Sequence, residues 1–280
     1  MKAFAVIGGD ERQARLARLL IQDGHTVYIR GHGPNAAGSL EDAAARANVI
    51  IWPLPLADRN GMLNAAGESR PPDAVLDMMR ADQLAVGGRI PLSLMEQARG
   101  AGLKLVDYTT REDFAIANAV PSAEGAVQLA MEHTERTIHG SNCLVIGFGR
   151  IGAVLARLMA ALGADVTVSA RRAEHFRWCG VYGYRKADTR ALDGALGGFD
   201  IVFNTVPHLV LGDALLAQLK PGALVIDLAS SPGGVDFAAA KKRGVNCHWA
   251  LSLPGRAAPE SAAHILRDTV YQIIKEDAGL

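Results

Sequence analysis

Three cysteines in 280 residues, an odd number with no C-x-x-C spacing, leave this sequence without a disulfide framework. Cys143, Cys179 and Cys247 read as reduced thiols that pack rather than react. An excess of either charge is also lacking. Lys plus Arg and Asp plus Glu number 29 each, which gives no reason to expect a nucleic-acid or membrane-surface partner. No apolar run approaches the roughly 18 residues that a membrane helix needs. The apolar start breaks at Gly8-Gly9-Asp10, too early for a signal peptide's core. The expectation is a cytoplasmic globular protein with no metal site. Its length, with 49% apolar and 21% charged residues, suits one large domain or two of ordinary size.

What the chain does have is a glycine motif at its centre. The apolar run Cys143-Leu-Val-Ile ends in Gly147-Phe-Gly149-Arg150-Ile151-Gly152 and enters an alanine- and leucine-rich helical stretch over 153–162. Strand, tight turn and helix in this order predict a dinucleotide site. The first glycine allows the turn, the second lets backbone approach a pyrophosphate, and the third lets helix and strand pack closely. The next strand, 165–169, leads to Ser169, Arg171 and Arg172, with no acid before Glu174. An acid would accept the ribose 2′-OH of NAD; a hydroxyl and two arginines favour NADP, the rival being that both arginines are simply solvated.

The plan repeats. Val6-Ile7-Gly8 aligns with Val145-Ile146-Gly147, Leu16-Ala17-Arg18-Leu19 with Leu155-Ala156-Arg157-Leu158, residues 48–55 with 200–207, and 102–106 with 244–248. The first copy has Asp10 and Gln13 where the second has Gly149 and Gly152. A carboxylate facing a pyrophosphate is unfavourable, so this copy is expected to be a scaffold or a substrate domain. The expected fold is α/β: two doubly wound, Rossmann-like parallel-sheet domains joined by a helical linker, with a C-terminal helix returning to the first domain. The expected divisions are 1–138, 139–255 and 256–280. Residues 57–73 read as a surface loop. Pro121 is expected to hold Val120 extended and Ser122 to cap a helix, whose free amides suit a carboxylate. Two strand-end loops, one with Thr205, Pro207 and His208 and one with Ser230 and Ser231, are expected beside the nicotinamide.

Six ordered segments carry a family resemblance: Val6-Ile-Gly-Gly-Asp-Glu-Arg-Gln13, Pro121-Ser-Ala-Glu-Gly125, Thr137-Ile-His-Gly140, Gly147-Phe-Gly-Arg-Ile-Gly152, Asp227-Leu-Ala-Ser-Ser-Pro-Gly-Gly234 and Leu253-Pro-Gly-Arg-Ala-Ala-Pro259. Together they resemble the A subunit of bacterial dipicolinate synthase over essentially the whole chain. The resemblance implies a two-domain NADP-dependent dehydrogenase that works with a flavoprotein-like B subunit. It would oxidise dihydrodipicolinate to dipicolinate in the mother-cell cytoplasm of a sporulating bacterium. Family members often carry a basic residue at the position of Ser231, so a hydroxyl contact, not an ionic one, is expected there.

For such a dicarboxylate, Arg12, Arg256 and the start of the Ser122 helix are the candidate anion ligands, with Ser230 and Ser231 adding hydroxyls. His208 is the candidate base, with Glu124, His139 or water as alternatives. A stand-alone NADP-dependent dehydrogenase of another small acid, or a non-catalytic nucleotide-binding protein that serves as an interaction surface, fits the same cofactor motif. The sequence leaves a homo-oligomer open.

Overall fold

The computed structural model describes residues 1–31 and 39–279, which divide into two compact units. Unit 1 comprises residues 1–118 and 258–280, and unit 2 comprises 119–257. The division falls at residue 118, not at the expected 138.

In unit 1, β1 (Ala3–Ile7), α1 (Glu11–Gln22), β2 (Thr26–Arg30), α2 (Leu40–Arg46), β3 (Val49–Ile51), β4 (Leu84–Gly87), α3 (Leu92–Gly100) and β5 (Lys104–Asp107) follow in sequence. The five strands are parallel in the order β2-β1-β3-β4-β5. Strands buried on both faces require side chains of both parities to be apolar. Accordingly, Ala5, Ile7, Ile50 and Ala85 pack under α2 and α3, while Phe4, Val6, Ile51 and Val86 pack on the opposite face. That second face is covered by α1 together with α10 (Pro259–Asp277), through Leu16 and Leu20 on one helix and Leu266, Val270 and Ile273 on the other. The C-terminal helix therefore does return to the first domain. Residues 57–73 are more ordered than a plain loop: Ala57 bridges Leu63 in antiparallel fashion, and Leu63 is buried in the core.

α4 (Glu112–His133) is one continuous helix of 22 residues with Pro121 in its interior, and it carries the chain from unit 1 into unit 2. This corrects the expectation of a helix starting at Ser122. Proline disfavours a helical predecessor and removes one donor, but flanking turns can hold the chain helical through it. The amides near Ser122 are thus internal to a helix, and the expected carboxylate cradle there does not exist.

Unit 2 continues with β6 (Asn142–Ile146), α5 (Arg150–Ala161), β7 (Asp165–Ala170), α6 (Ala173–Val181), β8 (Arg185–Asp188), β9 (Ile201–Asn204), α7 (Asp213–Leu216), β10 (Leu224–Asp227), α8 (Phe237–Arg243), β11 (Asn246–Trp249) and α9 (Leu253–Ala257). Its six parallel strands run β11-β10-β9-β6-β7-β8. Renumbered within the unit, this is the 3-2-1-4-5-6 order of dinucleotide-binding sheets, whereas unit 1 has the flavodoxin-like 2-1-3-4-5 order. Cys143 and Cys179 are buried and Cys247 partly so; burial pushes the Cys247 thiol up to about 12, which fits packing rather than chemistry.

Candidate functional site

The glycine turn of unit 2 is assembled by close contacts. Gly147 has φ +95°, and a Cβ there would overlap Thr205 Oγ1. Thr205 is held in that position by donating from Oγ1 to the carbonyl of Ile146 at 2.9 Å. A Cβ on Gly152 would overlap the Gly147 carbonyl, so this position sets the approach of α5 to the strand. At Gly149 a Cβ would meet nothing within 4 Å, and the residue starts α5 without a side-chain cap. Two glycines are thus required by protein packing, while the third lies against open space. The uncapped helix start with Arg150 and Ile151 in its first turn, facing that space, fits a pyrophosphate.

Ser169 is fully buried, and its hydroxyl lies 2.6 Å from that of Thr189. It is committed to the neighbouring strand end, while Arg171 and Arg172 just beyond it are both exposed. Arg172 has a loose ion pair with Glu174 at 3.5 Å. Strand β7 ends in Ala170 without an acid, as the sequence indicated.

Two residues that sequence reasoning missed organise the loops after β9 and β10. Asp227, fully buried, accepts from Asn204 Nδ2 at 2.8 Å, from the Ala229 amide at 3.0 Å and from the Gly234 amide at 2.7 Å. Asn204, also buried, donates to the Val206 carbonyl at 3.0 Å and accepts from the Val206 amide at 3.2 Å. One carboxylate and one amide thereby tie the loop of Thr205 and Pro207 to that of Ser230 and Ser231. Trp249 reinforces the second loop by donating from Nε1 to the Ala229 carbonyl at 2.9 Å. The available signal was the polar residue ending each of two otherwise apolar strands.

His208, Pro207 and Ser231 are exposed in these loops, and Ser230 is half-buried. His139 sits elsewhere: it packs on Gly163, beside the start of β6, at the sheet edge opposite the glycine turn. It is therefore removed as a candidate base. Two of the motif segments meet directly. Gly125 of α4 lies under α9, where a Cβ would stand 3.0 Å from Ala257 Cβ and 3.1 Å from Leu253 Cβ. Along these helices Ser122 is buried, while Glu124 and Arg256 are exposed.

Arg12 belongs to unit 1, where it is 5% exposed and forks onto Asp10, Nε to Oδ1 at 2.9 Å and a terminal nitrogen to Oδ2 at 2.7 Å. Asp10 and Gln13 form a capping box on α1. The Asp10 carboxylate thus takes an amide at the helix start, where the intact motif leaves the helix uncapped. A cavity of about 580 Å³ opens beside this turn, lined in part by Asp10, Glu11 and Asp58.

Comparison with known proteins finds relatives over nearly the whole chain. Residues 3–109 match the N-terminal domain of the dipicolinate synthase A subunit, and residues 88–235 match the NAD binding domain of D-isomer specific 2-hydroxyacid dehydrogenases. The chain is 35% identical to the A subunit of dipicolinate synthase from Bacillus subtilis, covering 98% of this chain and 96% of that protein. The crystal structure of the dipicolinate synthase A subunit from Bacillus halodurans superposes with a TM-score of 0.86 at 31% identity, covering 97% of each chain. A transhydrogenase from Sinorhizobium meliloti shares the fold alone, with a TM-score of 0.66 at 17% identity over 98% of this chain and 94% of that one.

Proposed function

Since the chain belongs to the family of dipicolinate synthase A subunits and carries a dehydrogenase-type dinucleotide-binding domain, we propose that it oxidises dihydrodipicolinate to dipicolinate with NADP, together with a flavoprotein-like B subunit. The same reading implies the mother-cell cytoplasm of a sporulating bacterium. The observation that carries it is the glycine turn of unit 2, open at Gly149 and uncapped at α5, beside a strand end with two exposed arginines and no acid.

When bound, the nicotinamide supplies a hydride acceptor. Aromatisation of the ring supplies driving force, so the tasks left to the chain are to hold two carboxylates in register and remove one proton. His208, exposed in the loop after β9, is the side chain assigned to take that proton. Arg256, Ser230 and Ser231 offer one guanidinium and two hydroxyls to the acid.

The test supplies dihydrodipicolinate and NADP to the chain alone and with its B subunit, and follows the pyridine product. Absence of product under both conditions overturns the reading. Faster turnover with NAD than with NADP overturns the role given to Arg171 and Arg172. His208→Ala is expected to lower turnover by about 10²–10⁴-fold, and a loss within about threefold removes it as the base.

A further inference from the structure

We propose that the loop between β4 and α3 of unit 1 is a carboxylate-binding subsite, with Arg89 as its cationic ligand and the Tyr108 hydroxyl as its polar floor. Its occupant is one carboxylate of a small organic acid. The proposal rests on the dicarboxylate dehydrogenase reading and names residues that would hold the acid.

Arg89 has φ +56°, one of two non-glycine residues with positive φ among those described. For a side chain of this size the left-handed region is strained, and such strain persists only where the surroundings fix it. Here they do. Asp107, at the end of β5 and 7% exposed, accepts from the Arg89 amide at 3.3 Å and the Ile90 amide at 2.9 Å. Thr109 completes the clamp: its hydroxyl donates to Asp107 at 2.6 Å and accepts from the Arg89 amide at 3.3 Å. A buried carboxylate is thus devoted to holding this one turn. Glycine or asparagine would adopt the same backbone with less strain, so the backbone does not explain an arginine.

The side chain does. Arg89 is exposed, and its guanidinium has no hydrogen-bond or ion-pair partner among the described residues. Arg15, Arg70, Arg80 and Arg111 of the same unit pair with carboxylates, and among its other exposed arginines, such as Arg18 and Arg46, Arg89 is set apart by a backbone held at positive φ. An unpaired guanidinium on a fixed turn is pre-organised for a planar anion.

A second observation concerns the first residue after β5, beside the same turn. Tyr108 is fully buried, and its hydroxyl has no hydrogen-bond partner. That hydroxyl is 3.0 Å from where a Cβ on Gly88 would stand, so it faces the backbone just before Arg89. Burial, the first cause, raises the phenol's pKa; the Arg12 charge opposes the rise and Asp107 adds to it. The group therefore stays protonated, as a donor lacking an acceptor, which an anion oxygen would supply. Gly88, Arg89 and Tyr108 follow the ends of β4 and β5, the edge at which open parallel sheets bind ligands.

Binding of pyridine-2,6-dicarboxylate and of NADPH to the full chain, measured by calorimetry, tests the proposal. Arg89→Asn keeps a residue tolerant of positive φ and is expected to weaken dicarboxylate binding by about tenfold or more, with Arg89→Lys recovering part of the loss. Tyr108→Phe is expected to weaken it by about threefold or more, and NADPH affinity should stay within about twofold in all three variants. Unchanged dicarboxylate affinity in Arg89→Asn overturns the subsite while leaving the proposed function intact. Unchanged affinity in Tyr108→Phe removes the tyrosine and assigns its hydroxyl to an internal water. If the wild-type chain neither binds the dicarboxylate nor forms product, the proposed function fails and takes the subsite with it.

Discussion

Asp227 satisfies three donors with one buried carboxylate, and cutting it back leaves the amides of Ala229 and Gly234 without an acceptor and Asn204 Nδ2 with the Val206 carbonyl alone. Each buried orphan costs about 1–3 kcal/mol, and partial relaxation makes the sum less than additive, so Asp227→Ala is expected to destabilise unit 2 by about 3–5 kcal/mol. Urea unfolding followed by circular dichroism checks it: the midpoint should fall with the slope unchanged, and a loss below about 1 kcal/mol would mean that water replaces the carboxylate. Asp227→Asn, which retains one acceptor oxygen but points an amide at a donor, should fall between. At this scale the sequence was read well where a residue type has one use. Gly147 and Gly152 sit where the motif needs them. It was read incompletely where a polar side chain faces inward, because nothing in the string of letters indicates that Asn204 and Asp227 meet from adjacent strands. Asp10 and Gln13 illustrate a third case. They were visible as departures from a phosphate motif, but only three dimensions reveal that they rebuild the helix start as a capping box.

Among the elements, α10 makes a contribution that its place at the end of the chain conceals. Its buried stripe of Leu266, Val270 and Ile273 lies in one core with Leu16 and Leu20 of α1 and with Phe4 and Val6 of β1. Leu266→Ala removes a wholly enclosed side chain, and such truncations cost about 2–5 kcal/mol depending on how far the site collapses. The loss should appear in the unfolding of unit 1, as increased proteolysis within residues 1–118. Cleavage confined to residues 119–257 would contradict the assignment of α10. The periodic apolar residues of α10 and the proline at its start made this helix legible in advance. α4 was misread for a reason that is equally physical. Pro121 is a strong local signal for a boundary, but helix formation is cooperative, and intact turns on both sides outweigh one missing donor. The alanines and the glycine at 125 that let α9 lie close are packing features, and they carry no local mark of where the helix begins.

For the whole chain, the repeat seen in the letters is a repeat of topology. Removing β8 from the second sheet leaves β11-β10-β9-β6-β7, the counterpart of β5-β4-β3-β1-β2. The added strand at the edge explains why the aligned segments drift apart between residues 30 and 48 of the first copy and the corresponding part of the second. Each unit closes its own hydrophobic clusters, and the turn after the first strand differs between them: α5 starts uncapped at Gly149 in unit 2, while α1 is capped by Asp10 in unit 1. A ligand that binds the folded form of one unit stabilises that unit by mass action, by about 2.7 kcal/mol at a free concentration 100 times its Kd. Amide hydrogen exchange read by mass spectrometry separates the two. NADPH at that concentration should slow exchange in β6 and α5 by up to about 100-fold where exchange occurs through opening of the unit, with the strands of unit 1 as the internal reference. Equal protection of both sheets would mean that the two cores open as one cooperative body. Absence of protection in β6 and α5 would remove the nucleotide from the glycine turn, and with it the division of labour between a copy that kept Gly149 and Gly152 and a copy that capped itself with Asp10.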